Sequence, residues 1–316
     1  MIIIYILKII FLLLFLAKSI ELNNIKMKFS SLLKSNLSKK IFQFFIWFLI
    51  TISIILLLNP SHAQNNRSLE VERLRGTVVR QGGNSTAIRV GDRLSNVGEG
   101  LLTGSRSNAI LAIDSGIGTV NISENTDFQI RNLAITENGG RVTLLNVARG
   151  QVRLNVRPFT NPQSRLEIET PSGIAGVRGT EFGIGVSDDG RTSVATVNGA
   201  VAVSAQGETV LVEDGYGSII VPGEAPSEPI LFSDELDLNV EPIFRDRDGN
   251  INVKGQVNPL NYVWINNQIA SSDINGNFEL SLNDPYINFI KIKVKSPLGD
   301  EIEKSFIVRK GRHKMS

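Results

Sequence analysis

Hydrophobic and polar residues alternate with a period of two along most of the chain beyond residue 75. Val152, Leu154 and Val156 alternate with Gln151, Arg153, Asn155 and Arg157; Phe182, Ile184 and Val186 form a second such set. Val120 with Ile122 and Val201 with Val203 repeat the pattern. A strand sends successive side chains to opposite faces, so this alternation predicts half-buried β-strands. The runs are broken by Gly82-Gly83, Asn138-Gly139-Gly140, Asp189-Gly190 and Asn198-Gly199, dipeptides that supply the positive φ of tight hairpins. No stretch here carries a convincing amphipathic helical period. The expected fold class is all-β: a barrel, a roll or a short solenoid.

The first 63 residues read differently. They hold two apolar runs, Ile2–Leu16 and Ile41–Leu58. The second follows Lys39-Lys40 and exits through Pro60-Ser61-His62-Ala63. A basic region, an apolar run and a small-x-small exit make a secretory signal, with cleavage expected between Ala63 and Gln64. Met27 heads that unit, so residues 1–26 read as an over-extended start. The alternative is that Ile41–Leu58 stays in place as a membrane-anchor helix, since its length just reaches across a bilayer. Either reading puts residues 64–316 outside the cytoplasm, periplasmic or secreted in the first case and held at the inner membrane in the second.

Charge sharpens this division. The formal net charge is +2. Residues 1–63 contribute +6 from seven Lys and one acid, Glu21, while the other 253 residues carry 26 basic and 30 acidic side chains, a net −4. The exported part is mildly acidic, so the sum gives no reason to expect nucleic acid as a partner. Arg141, Arg149, Arg153 and Arg157 form a loose basic stretch, but residues 76–222 hold 12 Arg against 14 acids, and a solvated strand face explains it.

Composition then marks the domains. Residues 76–222 hold 22 of the 28 glycines and no Lys; from 235 to 308 Gly is sparse and Lys returns. Three prolines within Pro222–Pro229 mark 223–234 as a linker. Residues 64–75 read as a polar lead-in, 76–222 as one β domain, 235–308 as a second, and 309–316 as a basic tail. The chain has no Cys, and its two His are His62, at the end of the apolar segment, and His313, in the tail. This excludes Cys or His nucleophile–base pairs, zinc sites built on those ligands, and disulfides. Nothing singles out a pair of carboxylates for glycoside chemistry. The expectation is a non-enzymatic protein with no cofactor.

Thr170-Pro171-Ser172-Gly173-Ile174-Ala175-Gly176-Val177-Arg178-Gly179-Thr180-Glu181-Phe182 resembles the signature stretch of the FecR family. Val194–Val203 and the apolar run closing at Gly217 extend the resemblance over residues 76–222. It implies a twisted, solenoid-like β domain acting outside the inner membrane. In the best-known members that domain receives a signal from an outer-membrane transporter and relays it to a sigma factor. Before Ile41 no charged amphipathic helix bundle is found, so the sigma-binding segment of that plan is missing here. Residues 235–308 resemble a small bacterial immunoglobulin-like β-sandwich, through Val253–Val257, Val263–Asn266, Gly276–Leu280 and Phe289–Val294.

Three sets of residues are candidate sites. Arg178 and Glu181 read either as a recognition pair or as a local salt bridge fixing a turn at Gly179. Asp246, Asp248 and Asn250 carry oxygens at alternate positions and resemble a calcium loop, but the sixth and twelfth places hold Ile251 and Val257 where an EF-hand needs Gly and Glu; a turn opening a strand explains them as well. If Val263 and Ile265 point inward, Tyr262 and Trp264 share the outer face about 7 Å apart, a platform for a sugar ring or a partner side chain. The alternatives are the opposite phase, with Trp264 in the core and Val263 in solvent, and a neighbouring loop that covers the pair. The function expected is binding of a protein or envelope polysaccharide outside the cytoplasm. The alternatives are a membrane-anchored signalling regulator without its sigma-binding segment, and a structural envelope or adhesion protein.

Overall fold

A computed structural model of the protein describes residues 44, 46–52, 67–82, 87–114, 116–233 and 235–310. The expected cleavage site at Ala63 and Gln64, and Met27, lie outside the described residues. Phe44 and residues 46–52 are helical with exposed side chains. Among the described residues no helix is long and apolar enough to cross a membrane.

Residues Asn65–Ser316 form one compact unit, and it is all-β. Its larger part is a sheet system of 16 strands. The long strand Arg141–Val156 organises it. Residues 142–146 pair with the parallel strand Arg165–Glu169, whereas residues 150–155 pair antiparallel with Glu181–Val186. On its other side the same strand pairs with Asp127–Ile135 and then with Gly118–Ile122. The handover falls at Gly150, where φ is +92° and a Cβ would collide with Thr126. Only glycine meets both conditions, so the strand turns there and carries its alternation into a second arm of the sheet. Leu145 and Val147 before the turn, and Val152, Leu154 and Val156 after it, face one continuous core with Phe128, Leu166, Phe182, Ile184 and Val194.

The chain enters this core earlier than the sequence suggests. Leu69–Arg75, in the stretch read as a polar lead-in, is a strand paired with Asn108–Ile113, and its Leu69 and Val71 are buried. Arg67 just before it is buried too. Its guanidinium donates to Asp114 Oδ2 at 2.8 Å, to the carbonyls of Ala134 and Val142, and to Thr143 Oγ1. A buried arginine so fully bonded is costly to truncate, since its removal takes the nearest cation from the buried Asp114 carboxylate and a donor from two carbonyls.

The smaller part comprises two sheets around a core of its own. One sheet holds Leu238–Val240, Phe244–Arg245, Asn250–Val257, Asn277–Asn283 and Arg309–Lys310; the other holds Tyr262–Ile265, Gln268–Ala270, Phe289–Lys295 and Glu301–Ile307. Ile251, Val253, Val263, Ile265, Ile290, Ile292 and Val294 fill the space between them. The tail expected from residue 309 begins as a short parallel partner of Phe244–Arg245. The Pro-rich connection is likewise tied down. Pro226 is buried, Ser227 donates its backbone N–H to Ile219 O at 2.8 Å, and Ile230–Leu231 pairs with Tyr216–Gly217.

Candidate functional site

The strand Tyr262–Ile265 alternates as one of the two expected phases requires. Val263 and Ile265 enter the second core, leaving Tyr262 and Trp264 on the opposite face with ring centroids 6.2 Å apart. That face looks toward the first β body rather than bulk solvent. Tyr262 is 7% exposed: its ring lies on Gly185, where a Cβ would overlap it, and its hydroxyl accepts the Ser193 backbone N–H at 3.0 Å. Burial raises the Tyr262 pKa to about 12, against the opposing effects of the Ser193 hydrogen bond and the Arg191 charge.

Further contacts close this end of the junction. Gly183 packs on the backbone of Pro297, and Gly217 on the side chain of Leu260. Arg191, buried, donates to Pro259 O at 2.7 Å and Ser272 Oγ at 3.1 Å. Gln151 Nε2 donates to Ser296 O at 2.5 Å. Burial pushes the neighbouring Asp189 carboxyl upward. Hydrogen bonds from Ser187, the Arg191 backbone and Ser271, with the Arg191 charge, outweigh it and hold the pKa below the usual aspartate value. Among the described residues the two buried side-chain atoms without a hydrogen-bond partner, Gln151 Oε1 and Ser193 Oγ, both belong to this junction.

Two residues along the strand, the junction opens. Trp264 is half-buried and lines a cleft of about 540 Å³ whose other walls include Lys293, Lys295, Arg149, Glu124, Asn125 and Asp188. Strand register sets this grouping, pairing Tyr262 with Lys295 and Trp264 with Lys293. Lys293 Nζ stands 5.1 Å from the centroid of the Trp264 ring, within cation–π range. Burial lowers the Lys295 pKa and the Lys293 charge adds to this, while Glu124 and Glu301 oppose it.

The other candidates lie elsewhere, and none of them lines this cleft. Arg178 and Glu181 do not pair with each other. Glu181 Oε1 accepts from Arg153 Nη2 at 2.6 Å across the adjacent strand, and Arg178 donates to Pro162 O. Between them Gly179 has φ +140°, and a Cβ there would strike Pro158. The Arg-Gly-Thr-Glu run is thus the corner by which the chain leaves the strand Ile174–Val177 for Glu181–Val186. The turn reading, without its local ion pair, is what the geometry supports.

Asp246, Asp248 and Asn250 also form a turn. Asp246 Oδ1 accepts the backbone N–H groups of Asp248 and Asn250 at 2.9 and 2.8 Å, and Oδ2 accepts Asn250 Nδ2 at 3.1 Å. Asp273 repeats the arrangement with Asn275 and Asn277, at 2.9, 2.8 and 3.0 Å. The Asn250 and Asn277 hydrogen bonds hold each aspartate pKa below its usual value. Both carboxylates are spent on closing hairpins rather than facing a shared cation position. Among the described residues no three His, Cys, Asp or Glu are grouped to hold a metal.

No motif in the sequence marks Lys293, Lys295, Arg149, Glu124 or Gln151 as site residues. The alternation in Phe289–Lys295 places the lysines on one face. Their partners across the junction come from strands more than a hundred residues away, which no local pattern reveals.

Residues 101–202 match the family model described as FecR protein, and this interval contains the Thr170–Phe182 stretch. No curated protein matches the chain. Among solved structures, two of a candidate anti-sigma factor from Parabacteroides distasonis are similar at 13% and 14% identity, with TM-scores of 0.35 and 0.34. Each covers 42% of this chain, and the chain spans 58% and 59% of their length. A polysaccharide lyase aligns at 8% identity over 80% of this chain and 41% of its own, with a TM-score of 0.20.

Proposed function

We propose that this chain is a non-catalytic binding protein that works outside the cytoplasm and takes its ligand in the cleft beside Trp264. In this reading the first body is a twisted FecR-type β-roll. The second is an immunoglobulin-like sandwich, serving as one wall of the receptor rather than a passive spacer. The half-open junction carries the proposal: one end is packed and hydrogen-bonded, while two residues away an aromatic ring and three cations line open space. Sites of this kind form preferentially where two bodies meet. The FecR match over residues 101–202 supports a sensing or receptor role. Envelope extract passed over immobilised full-length chain should leave a ligand that Trp264→Ala fails to retain while keeping its melting temperature. Equal retention by the variant would remove the cleft from the function. Product analysis after incubation with envelope polysaccharides should show no new reducing ends.

A second reading keeps the apolar run Ile41–Leu58 as an anchor, making the same receptor body a membrane-bound regulator that signals through another chain. N-terminal sequencing of the mature protein separates the two. A start at Gln64 fits the exported form; a retained Ile41–Leu58 fits the anchored one.

A further inference from the structure

The cleft walls make three different demands on a ligand. Trp264 offers a half-exposed apolar ring surface, with Lys293 Nζ at 5.1 Å from its centroid. Lys295 lies two residues further along the same strand face, partly buried. Among the described residues Lys254 and Lys291 are the lysines that pair with carboxylates, through Glu279 and Glu303, whereas Lys293 and Lys295 pair with none. Arg149, exposed on the opposite wall, forms no ion pair among the described residues either. Three cations lining the same cleft as the aromatic ring, none in an ion pair among the described residues, fit an anionic group in the ligand.

The same walls carry Glu124 and Asp188, with Asn125, Thr77 and Ser187. Glu124 Oε2 already accepts the Arg106 backbone N–H at 2.5 Å, and Asp188 is exposed. Two carboxylates in the lining repel a densely anionic chain but accept hydrogen bonds from hydroxyls. The orphaned Gln151 Oε1 adds one more acceptor at this boundary. The ligand that meets these demands has an apolar ring face, one negative group and several hydroxyls. We propose that the cleft binds a carboxylated saccharide, its sugar ring laid against Trp264 and its carboxylate set among Lys293, Lys295 and Arg149. This rests on the receptor reading above and narrows it to a ligand class. A polyglutamate-like peptide has the charge but neither the ring face nor the hydroxyls, and its successive carboxylates would meet Glu124 and Asp188. The cleft volume lies within the range of about 300–1,000 Å³ usual for small-molecule sites, room for a short oligosaccharide.

The test uses the full chain in detergent with Trp47→Phe, so that Trp264 is the reporting indole. Its fluorescence is titrated with uronate trimers, each a trisaccharide carrying a single carboxylate (on galacturonate, mannuronate or guluronate), with their carboxyl-reduced neutral counterparts, and with hexaglutamate. At least one uronate trimer should give a saturable response. Its neutral counterpart should bind at least about tenfold more weakly, and Lys295→Gln and Lys293→Gln should each lose about tenfold at unchanged melting temperature. Equal binding of the neutral trimer, or hexaglutamate binding as tightly as the best uronate, overturns the proposal. So does the lack of any uronate response up to about 1 mM. If the uronates fail but envelope extract still gives a saturable Trp264 response, the saccharide class falls and the receptor reading stands. If neither responds, both fall.

Discussion

The junction between the two β bodies has a closed end and an open end, set by neighbouring residues of one strand. At Tyr262 the facing strands carry glycines, Gly183, Gly185 and Gly217, and the Pro297 backbone, the Tyr262 ring and the Leu260 side chain pack directly onto them. At Trp264 the facing surface carries Arg149, Glu124 and Asp188 among smaller residues, and space remains. The closed end satisfies its polar groups internally, through the Tyr262 hydroxyl and the Arg191 guanidinium. The open end leaves three cations without carboxylate partners among the described residues. The sheets dock where Gly183, Gly185 and Gly217 receive Pro297, Tyr262 and Leu260, and they part where Arg149 and Glu124 stand. A binding site arises where the one gives way to the other.

The sharpest way to break this contrast is to put a side chain where the closed end needs none. Gly183→Ala would drive a methyl group into the Pro297 carbonyl, a backbone atom that cannot rotate aside. The expected cost is about 1–3 kcal/mol or more, and calorimetry should show the single unfolding transition splitting as the bodies undock. Next comes Tyr262→Phe, which strands the Ser193 N–H and should cost about 1–3 kcal/mol. It also has a pH signature. The folded-state phenol pKa, about 12, lies above the ordinary value of 10.0. The wild type thus has this contribution in full below about pH 10 and loses it as pH rises toward 12, whereas the Phe variant shows no such alkaline loss. The smallest effect is expected at the signature corner. Glu181→Gln breaks the half-exposed pair with Arg153 and should lower stability by less than about 1 kcal/mol by denaturant titration, leaving cleft binding unchanged.

The fold was legible wherever alternate positions carry large apolar side chains. Val152–Val156, Phe182–Val186 and Val263–Ile265 point as their period demands. Legibility failed where long-range contacts overrule local composition. Arg67 looks like a polar leader residue but is buried because Asp114, Ala134, Val142 and Thr143 supply its partners. Arg178 and Glu181 look like a pair because they are close in sequence. The strand register gives Glu181 to Arg153 instead. The Pro-rich connection looks free until Ser227 and Ile230 are seen stitched to the first body. Of the site itself, the period of two located the Tyr262–Trp264 pair. It could not show that the first body would cover one ring and leave the other open, since that depends on glycines some 45 to 80 positions away in the chain.

Trp264 faces an open cleft in which Lys293, Lys295 and Arg149 outnumber Glu124 and Asp188. Its fluorescence in a Trp47→Phe background, quenched in parallel by iodide and by caesium at equal ionic strength, tests this directly. Relative to free N-acetyltryptophanamide, iodide should quench it clearly and caesium much less, with the iodide advantage reduced in Lys293→Gln. An indole shielded from both ions, or quenched equally by both, would contradict it.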